Sequence, residues 1–250
     1  MRRGAPFSRL LANDLRSWMA HRAVFTCGGL AIGLLAIALA HSSSQQSLFT
    51  AVLGGPTVTV IDRHLREGPG WTGFTMEVLF LVAVFSLLDT TSRWRDLTVI
   101  RGVPPRRWAA GRLGASAVGA LVFLMLLMVG MGLAGLTGWR SGSLLSSNTV
   151  WDVELWAVEL IGLAWFTLAI NCLMNAVWWS FLATLFLLSL ARFGGGVSPY
   201  IPLAQWMVGL HRLLGTLSIT DGMLYLLGFT LFSGFTVLWA AQRLGHPGTR

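Results

Sequence analysis

Residues 113–138 read LGASAVGALVFLMLLMVGMGLAGLTG and hold no ionisable side chain. A helix needs about 20 mostly apolar residues to cross the hydrocarbon core of a bilayer, so this stretch is long enough to span a membrane. The whole chain shares its character, because 54% of its 250 residues are hydrophobic and 11% are charged. Soluble domains carry roughly 25% charged residues. The sequence therefore predicts an integral membrane protein.

Five further apolar runs accompany this one, two before it and three after it. Six spans in an all-α fold place both ends of the chain on the same side of the membrane. The chain is interpreted as a single transmembrane domain over residues 1–250. The predicted spans cover about residues 23–40, 71–88, 113–138, 153–173, 176–191 and 223–241.

The first segment outside the spans, residues 1–22, has apolar and polar faces at helical spacing. Leu11, Leu15 and Trp18 lie on one face, whereas Arg9 and Arg16 lie on the other. This pattern is typical of a helix that lies in the membrane interface. Such a helix either anchors the chain or contacts a partner.

Three connecting segments complete the predicted organisation. Residues 41–70 form a long extracytoplasmic loop, and residues 89–112 form a cytoplasmic loop between spans two and three. Residues 192–221 contain an apolar run, 203–214, that is only about 18 Å long as a helix, whereas the hydrocarbon core measures about 30 Å. This segment is expected to be a re-entrant helical element before span six.

The distribution of arginines predicts the orientation. All 18 basic residues are arginine, and the net charge is +8. Thirteen arginines fall before span one, between spans two and three, or after span six, and five fall on the opposite side. Cytoplasmic segments are enriched in basic residues, so the predicted location is the cell membrane, the inner or cytoplasmic one, with both termini in the cytoplasm. The five on the outer side are Arg63, Arg66, Arg140, Arg192 and Arg212.

Several function classes are disfavoured by what the sequence lacks. A chain without lysine has neither the P-loop lysine of an ATPase nor a Schiff-base lysine. Its five histidines form no metal-binding spacing, and Cys27 and Cys172 lie inside apolar runs rather than in a disulfide framework. We therefore expect no catalytic residues, no metal site and no cofactor in this chain.

Four polar residues inside the spans are candidates for lining a pathway or for packing. Glu77 and Glu159 lie one to two turns from the predicted outer ends of spans two and four. Carboxylates in a bilayer are expensive and often functional, but these two could instead reach the interface or pair with an outer arginine, Arg140, Arg192 or Arg212. Asn171 and Asn175, at the inner end of span four, favour hydrogen bonding between helices.

The loop at 89–112 is the strongest local feature of the sequence. Trp94, Leu97 and Ile100 are spaced three apart, on one face of a helix that ends near Gly102, before Pro104. A basic helix of this kind between two spans could dock on a soluble partner, or it could simply reflect the positive-inside rule.

The order of these elements resembles that of the ABC type-2 exporter permeases, the transmembrane subunits of ATP-binding-cassette transporters. The resemblance in layout covers the whole chain. In the loop, family members carry an acidic residue, then Gly-Thr-Leu, a further leucine, and Pro with a basic residue before span three. Arg95-Asp96 replaces the Gly-Thr pair, and Thr91-Ser92 replaces the acid, with Asp89 nearby. The positions that fit the family spacing are Leu97, Ile100, Pro104, Arg106 and Arg107.

The resemblance implies a transport subunit rather than an enzyme. Two permease chains, alike or different, would line a pathway, and separate ATPase subunits binding ATP and Mg would grip residues 92–107 and the N-terminal helix. The substrate would be hydrophobic or amphipathic, such as an antimicrobial peptide, a drug or a lipid, and no nucleic acid is expected to bind. The residues implied in coupling to the ATPase are Ser92, Arg93, Trp94, Arg95, Leu97, Ile100, Arg101, Pro104, Arg106 and Arg107.

Two other functions remain open from the sequence. A membrane structural or immunity protein would need the same spans but no ATPase. An intramembrane enzyme would use Glu77 or Glu159, but no second catalytic group lies at a useful spacing from either.

Overall fold

A computed structural model of the chain describes residues 7–41, 71–100, 103–136, 147–193, 200–204 and 218–244. Within these ranges the regular structure is helical, and no strand occurs. The predicted loop at 41–70 lies outside the described residues except for His41, and so do residues 205–217. The helices are α1 (Phe7–Met19), α2 (Arg22–His41), α3 (Trp71–Ile100), α4 (Pro105–Leu136), α5 (Ser147–Met174), α6 (Val177–Phe193) and α7 (Ile219–Leu244), with a 3-10 turn at Pro202–Ala204.

Local sequence explains where several of these helices begin and end. The carbonyl of Pro104 accepts the N–H groups of Arg107 and Trp108, which starts α4 at Pro105, a residue type favoured in the first helical position. The hydroxyl of Ser218 accepts the N–H of Asp221 at 3.1 Å and caps α7.

The continuity of α3 differs from the sequence expectation of a span ending at Asp89 followed by a separate loop helix. The apolar part, Gly73–Leu88, continues without a break through the polar residues as far as Ile100. No glycine or proline stands between Phe74 and Arg101 to interrupt the helix. The change from apolar to polar residues marks a change of surroundings, not the end of the helix.

Among the residues that the structure describes, three helices are long and apolar enough to cross a membrane: Pro105–Leu133, Val153–Met174 and Thr220–Arg243. A fourth span results if α1 and α2, which are bent by 65° at their junction, count as one. The apolar parts of α3 and α6, Gly73–Leu88 and Val177–Arg192, are shorter, at about 24 Å of helix each. These lengths and compositions indicate a helical protein embedded in a membrane.

Two apolar clusters hold the helices together. The larger one joins side chains from all seven helices and the 3-10 turn, including Trp18, Phe80, Trp156 and Leu226. The smaller one lies where the C-terminal parts of α3, α5 and α7 meet the beginning of α4. Its buried members are Leu88, Ala109, Leu113, Leu168, Ala169, Cys172, Val237, Ala240 and Ala241.

The smaller cluster identifies one end of the helix bundle, which we call the α1 end. Helix α1 packs there against the beginning of α4, where Asp14 lies beside Arg112. The second half of α3, the beginning of α4 and the C-terminal part of α7 contribute buried side chains at the same end. The elements that the sequence assigned to one side of the membrane are therefore neighbours in the fold.

Candidate functional site

The first candidate site is a corner at the α1 end, built from α1, α3 and α4. Trp18 of α1 is inserted between the other two helices and is only 3% exposed. Its indole N–H donates to the carbonyl of Ala83 on α3, with 2.7 Å between the heavy atoms. On α4, a Cβ added to Gly119 would lie 1.7 Å from a carbon of the Trp18 ring. The tryptophan therefore fits only because position 119 has no side chain.

A charged pair joins α1 and α4 nearer to the start of α4. Asp14 Oδ2 lies 3.5 Å from the Nε atom of Arg112, whose side chain is almost fully buried. The polar residues on the other side of α1, Arg9, Asn13 and Arg16, are exposed. The amphipathic pattern of α1 thus has the predicted faces. The apolar face, however, contacts α3 and α4 directly and does not serve only as an anchor in lipid.

Replacing Trp18 by phenylalanine tests this corner. We expect Trp18→Phe to lower the free energy of unfolding by about 1–2 kcal/mol, because it removes a buried hydrogen bond and part of a buried ring. The measurement is thermal unfolding of the detergent-purified protein. Trp179→Phe is the matched control, since Trp179 is 62% exposed and should change stability by less than about 0.5 kcal/mol. Equal behaviour of the two variants would contradict the packing role of Trp18.

The residues implied in coupling fall into two groups in the structure. Ser92, Arg93, Trp94, Arg95, Leu97 and Ile100 belong to the last third of α3, and their side chains lie outside the described part of the chain, as does Arg101. Pro104, Arg106 and Arg107 are exposed at the start of α4. The described members of both groups lie on α3 and α4 or directly before α4, and these are the helices between which Trp18 is inserted.

Asn171 and Asn175 have a structural role at the end of α5. Asn175 has a φ of 51°, the left-handed conformation in which asparagine often ends a helix. Its N–H donates to the carbonyl of Asn171 at 2.9 Å. This termination lets α6 begin at Val177. The pair was expected to pack helices or line a pathway, and this capping role was not anticipated.

The second candidate site is a layer of buried ionisable side chains inside the bundle. Arg192 on α6 donates to both carboxylate oxygens of Glu77 on α3, and the distance from its Nε to Oε2 is 3.1 Å. Both side chains are buried. Arg192 is one of the three arginines that the sequence offered as partners for a buried carboxylate. This bidentate pair joins α3 to α6.

The layer also contains Glu159 on α5, whose burial is not explained by any ion pair or hydrogen bond among the described residues. Glu159 is 0% exposed, and neither carboxyl oxygen has a hydrogen-bond partner among the described residues. Its neighbours along the helix, Leu155, Leu160 and Leu163, are buried apolar side chains. An uncompensated carboxylate in such surroundings is several kcal/mol less favourable than one in water.

The hairpin of α5 and α6 places Glu159 at the depth of Arg192. Only residues 175 and 176 separate the two helices, so they run antiparallel. The hydroxyls of Thr167 and Thr184 meet across the hairpin at 3.1 Å. Glu159 precedes Thr167 by eight residues, and Arg192 follows Thr184 by eight residues. Each is therefore about 12 Å from the threonine pair in the same direction, and the layer holds two carboxyls and one guanidinium.

Comparison of the chain with protein-family models, with curated proteins and with solved structures finds no match. Across the described ranges, no group of three or more His, Cys, Asp and Glu side chains is arranged to hold a metal ion.

Proposed function

We propose that this chain is the permease subunit of an ABC exporter. It would move a hydrophobic or amphipathic substrate out of the cytoplasm or the inner leaflet, powered by ATP and Mg bound in separate ATPase subunits. The observation that carries the proposal is the corner, in which α1 packs against α3 and α4, the two helices whose ends and short connection contain residues 92–107. A movement of that connection, driven by the ATPase, would move α1, α3 and α4 together, because the Trp18 ring of α1 contacts both α3 and α4.

Charge at the α1 end supports a docking role on the cytoplasmic side. The described arginines at this end that point outwards can meet acidic lipid headgroups or an acidic groove of an ATPase, whereas Arg192 is buried towards the opposite end. Basic side chains near a membrane favour the cytoplasmic side. The exposed arginines are Arg9, Arg16, Arg22, Arg106, Arg107 and Arg243.

The proposed topology has six spans and a re-entrant element. Helices α2 to α7 each cross the membrane, with α3 and α6 as the short ones. After α6, the described residues 200–204 include the 3-10 turn Pro202–Ala204, in which Leu203 and Ala204 are fully buried against the bundle. The hydroxyl of Tyr225 donates to the carbonyl of Tyr200 at 3.0 Å and holds these residues against α7. The burial of this turn supports a re-entrant segment rather than a surface loop.

Outward-facing apolar side chains on three helices leave room for a second permease chain. Phe25 on α2, Met125 on α4 and Phe232 on α7 are large apolar side chains that face outwards. Within a membrane such surfaces are covered by lipid or by another protein. We propose that a second permease chain, identical or different, covers one of them and completes the pathway.

The orientation on which this function depends is directly testable. We expect Ser92→Cys to resist impermeant thiol reagents in intact cells and Ser43→Cys to react with them. Background labelling is expected to be low, because Cys27 and Cys172 are buried. If residue 92 faced the outside, the 92–107 segment could not contact a cytoplasmic ATPase. A tag after Arg250 that is accessible only from outside would contradict six spans.

A further inference from the structure

The direction in which Glu159 points can be worked out from its neighbours on α5. A Cβ added to Gly162 would lie 2.6 Å from the hydroxyl of Thr230, so position 162 faces α7. Thr167 faces α6 through Thr184. At about 100° per residue, Gly162 lies about 60° to one side of Glu159 and Thr167 about 80° to the other side. Glu159 therefore faces the seam between α6 and α7.

Among the described residues, a short turn lies against the helices on both sides of this seam. The 3-10 turn Pro202–Ala204 contacts α5, α6 and α7, and its residues Leu203 and Ala204 are fully buried. Leu226 of α7 and Trp156 of α5 are buried members of the same apolar cluster. The surroundings of the Glu159 carboxyl thus offer apolar walls.

The polar side chains nearest to Glu159 in the described layer are bound to other groups, so the Glu159 carboxyl can bind a ligand. Arg192, the arginine at the same depth, is held by both oxygens of Glu77. Thr230, the polar side chain of α7 beside Gly162, donates to the carbonyl of Leu226 at 2.9 Å. A carboxylate buried inside a membrane protein is stabilised when a positively charged group binds to it. The binding partner that fits is a positive group attached to an apolar body.

We propose that Glu159 binds a cationic nitrogen, ammonium or guanidinium, of an amphipathic molecule that enters between α6 and α7. Its role in transport rests on the proposed exporter function, but the binding itself does not. The carboxylate takes the charged head, and the buried apolar side chains of α5 and α7 contact the tail. In the described structure Glu159 is fully buried. The residues over the seam must therefore move apart before a molecule can bind. Anionic amphipaths are disfavoured, because the only guanidinium of the described layer is already paired.

Binding to the full chain alone, in lipid nanodiscs without any ATPase, tests this site. The probes are dodecylammonium and dodecanol, which share the tail and differ in the charged head. Calorimetric titration, with empty nanodiscs subtracted, gives the affinity of each. We expect the wild type to prefer dodecylammonium and Glu159→Gln to bind it at least about tenfold more weakly, since hydrogen bonds to charged groups are the strong ones. Dodecanol binding should stay the same.

Two further variants distinguish the loss of the Glu159 charge from a general change in the structure of the protein. Glu159→Asp keeps the charge and should keep the preference for dodecylammonium. Glu154→Gln removes an exposed carboxyl five residues earlier on α5 and should bind both probes as the wild type does. Folding of each variant is checked by thermal unfolding in the same nanodiscs.

An equal preference for dodecylammonium in the wild type and a folded Glu159→Gln would overturn the proposal, and so would a loss of preference in both Glu159→Gln and Glu154→Gln. Failure of this site is distinguishable from failure of the exporter function. Equal binding in a chain that still associates with an ATPase would refute the site alone. Charge-dependent binding in a chain that associates with no ATPase would refute the exporter alone.

Discussion

Arg192→Gln is expected to lower the free energy of unfolding by about 3–5 kcal/mol, because it leaves the carboxylate of Glu77 buried without its partner. Glu77→Gln should have a similar effect by leaving the guanidinium unpaired. The double variant, Glu77→Gln with Arg192→Gln, should lose much less than the sum of the two, since no uncompensated charge remains in the layer. The measurement is equilibrium unfolding in mixed detergent micelles.

Arg9→Gln is the matched control for this prediction, because Arg9 is exposed on α1. Exposed substitutions usually change stability by less than about 0.5 kcal/mol. Additive effects of the two single substitutions would show that the pair between α3 and α6 contributes nothing as a pair. Wild-type stability of Arg192→Gln would contradict its burial.

Trp94→Ala is expected to leave the chain folded in the membrane but to weaken its association with the proposed ATPase partner about thirtyfold. Truncating a large aromatic side chain at the centre of an interface often costs about 2 kcal/mol or more. Arg95→Glu should weaken the same association through charge, with a stronger dependence on salt. The measurements are the amount of ATPase retained per chain and the substrate-stimulated hydrolysis of ATP in liposomes.

Controls for these variants come from elsewhere in the chain. Trp179→Ala removes an exposed tryptophan of α6, and Arg63→Glu reverses a charge in the predicted extracytoplasmic loop. Both should retain full ATPase binding and transport. Full activity of Trp94→Ala and Arg95→Glu would mean that the basic residues of 89–112 act only as a signal for topology.

The helices were largely predictable because their signals are local. The apolar runs that predict spans one, five and six coincide with α2, α6 and α7 to within about four residues at each end. The continuation of α3 to Ile100 was not anticipated, because a drop in hydropathy at Asp89 was read as an end. Hydropathy reports the surroundings of a helix, whereas glycine, proline and capping residues end it. The six-span arrangement itself stays a prediction.

The contacts that build the two candidate sites could not be predicted, because they join residues far apart in the chain. Trp18 reaches Ala83 and Gly119, and the amphipathic pattern of α1 showed only that Trp18 belonged to an apolar face. Glu77 had three candidate arginines, and only the packing of α3 on α6 selects Arg192. Spacing along one helix is visible in a sequence, whereas the pairing of helices is not.

The most direct measurement of the exporter proposal is covalent capture of the neighbour of residue 94 in living membranes. A photoreactive phenylalanine analogue placed at Trp94 in the tagged full chain is compared with the same analogue at Phe232, which is 71% exposed on α7. Mass spectrometry then identifies what is bound after purification. The proposed function predicts an ATP-binding-cassette ATPase captured from position 94 and only lipid or a second permease chain from position 232. Capture of lipid alone from position 94, with no ATPase co-purifying with the chain, would contradict it.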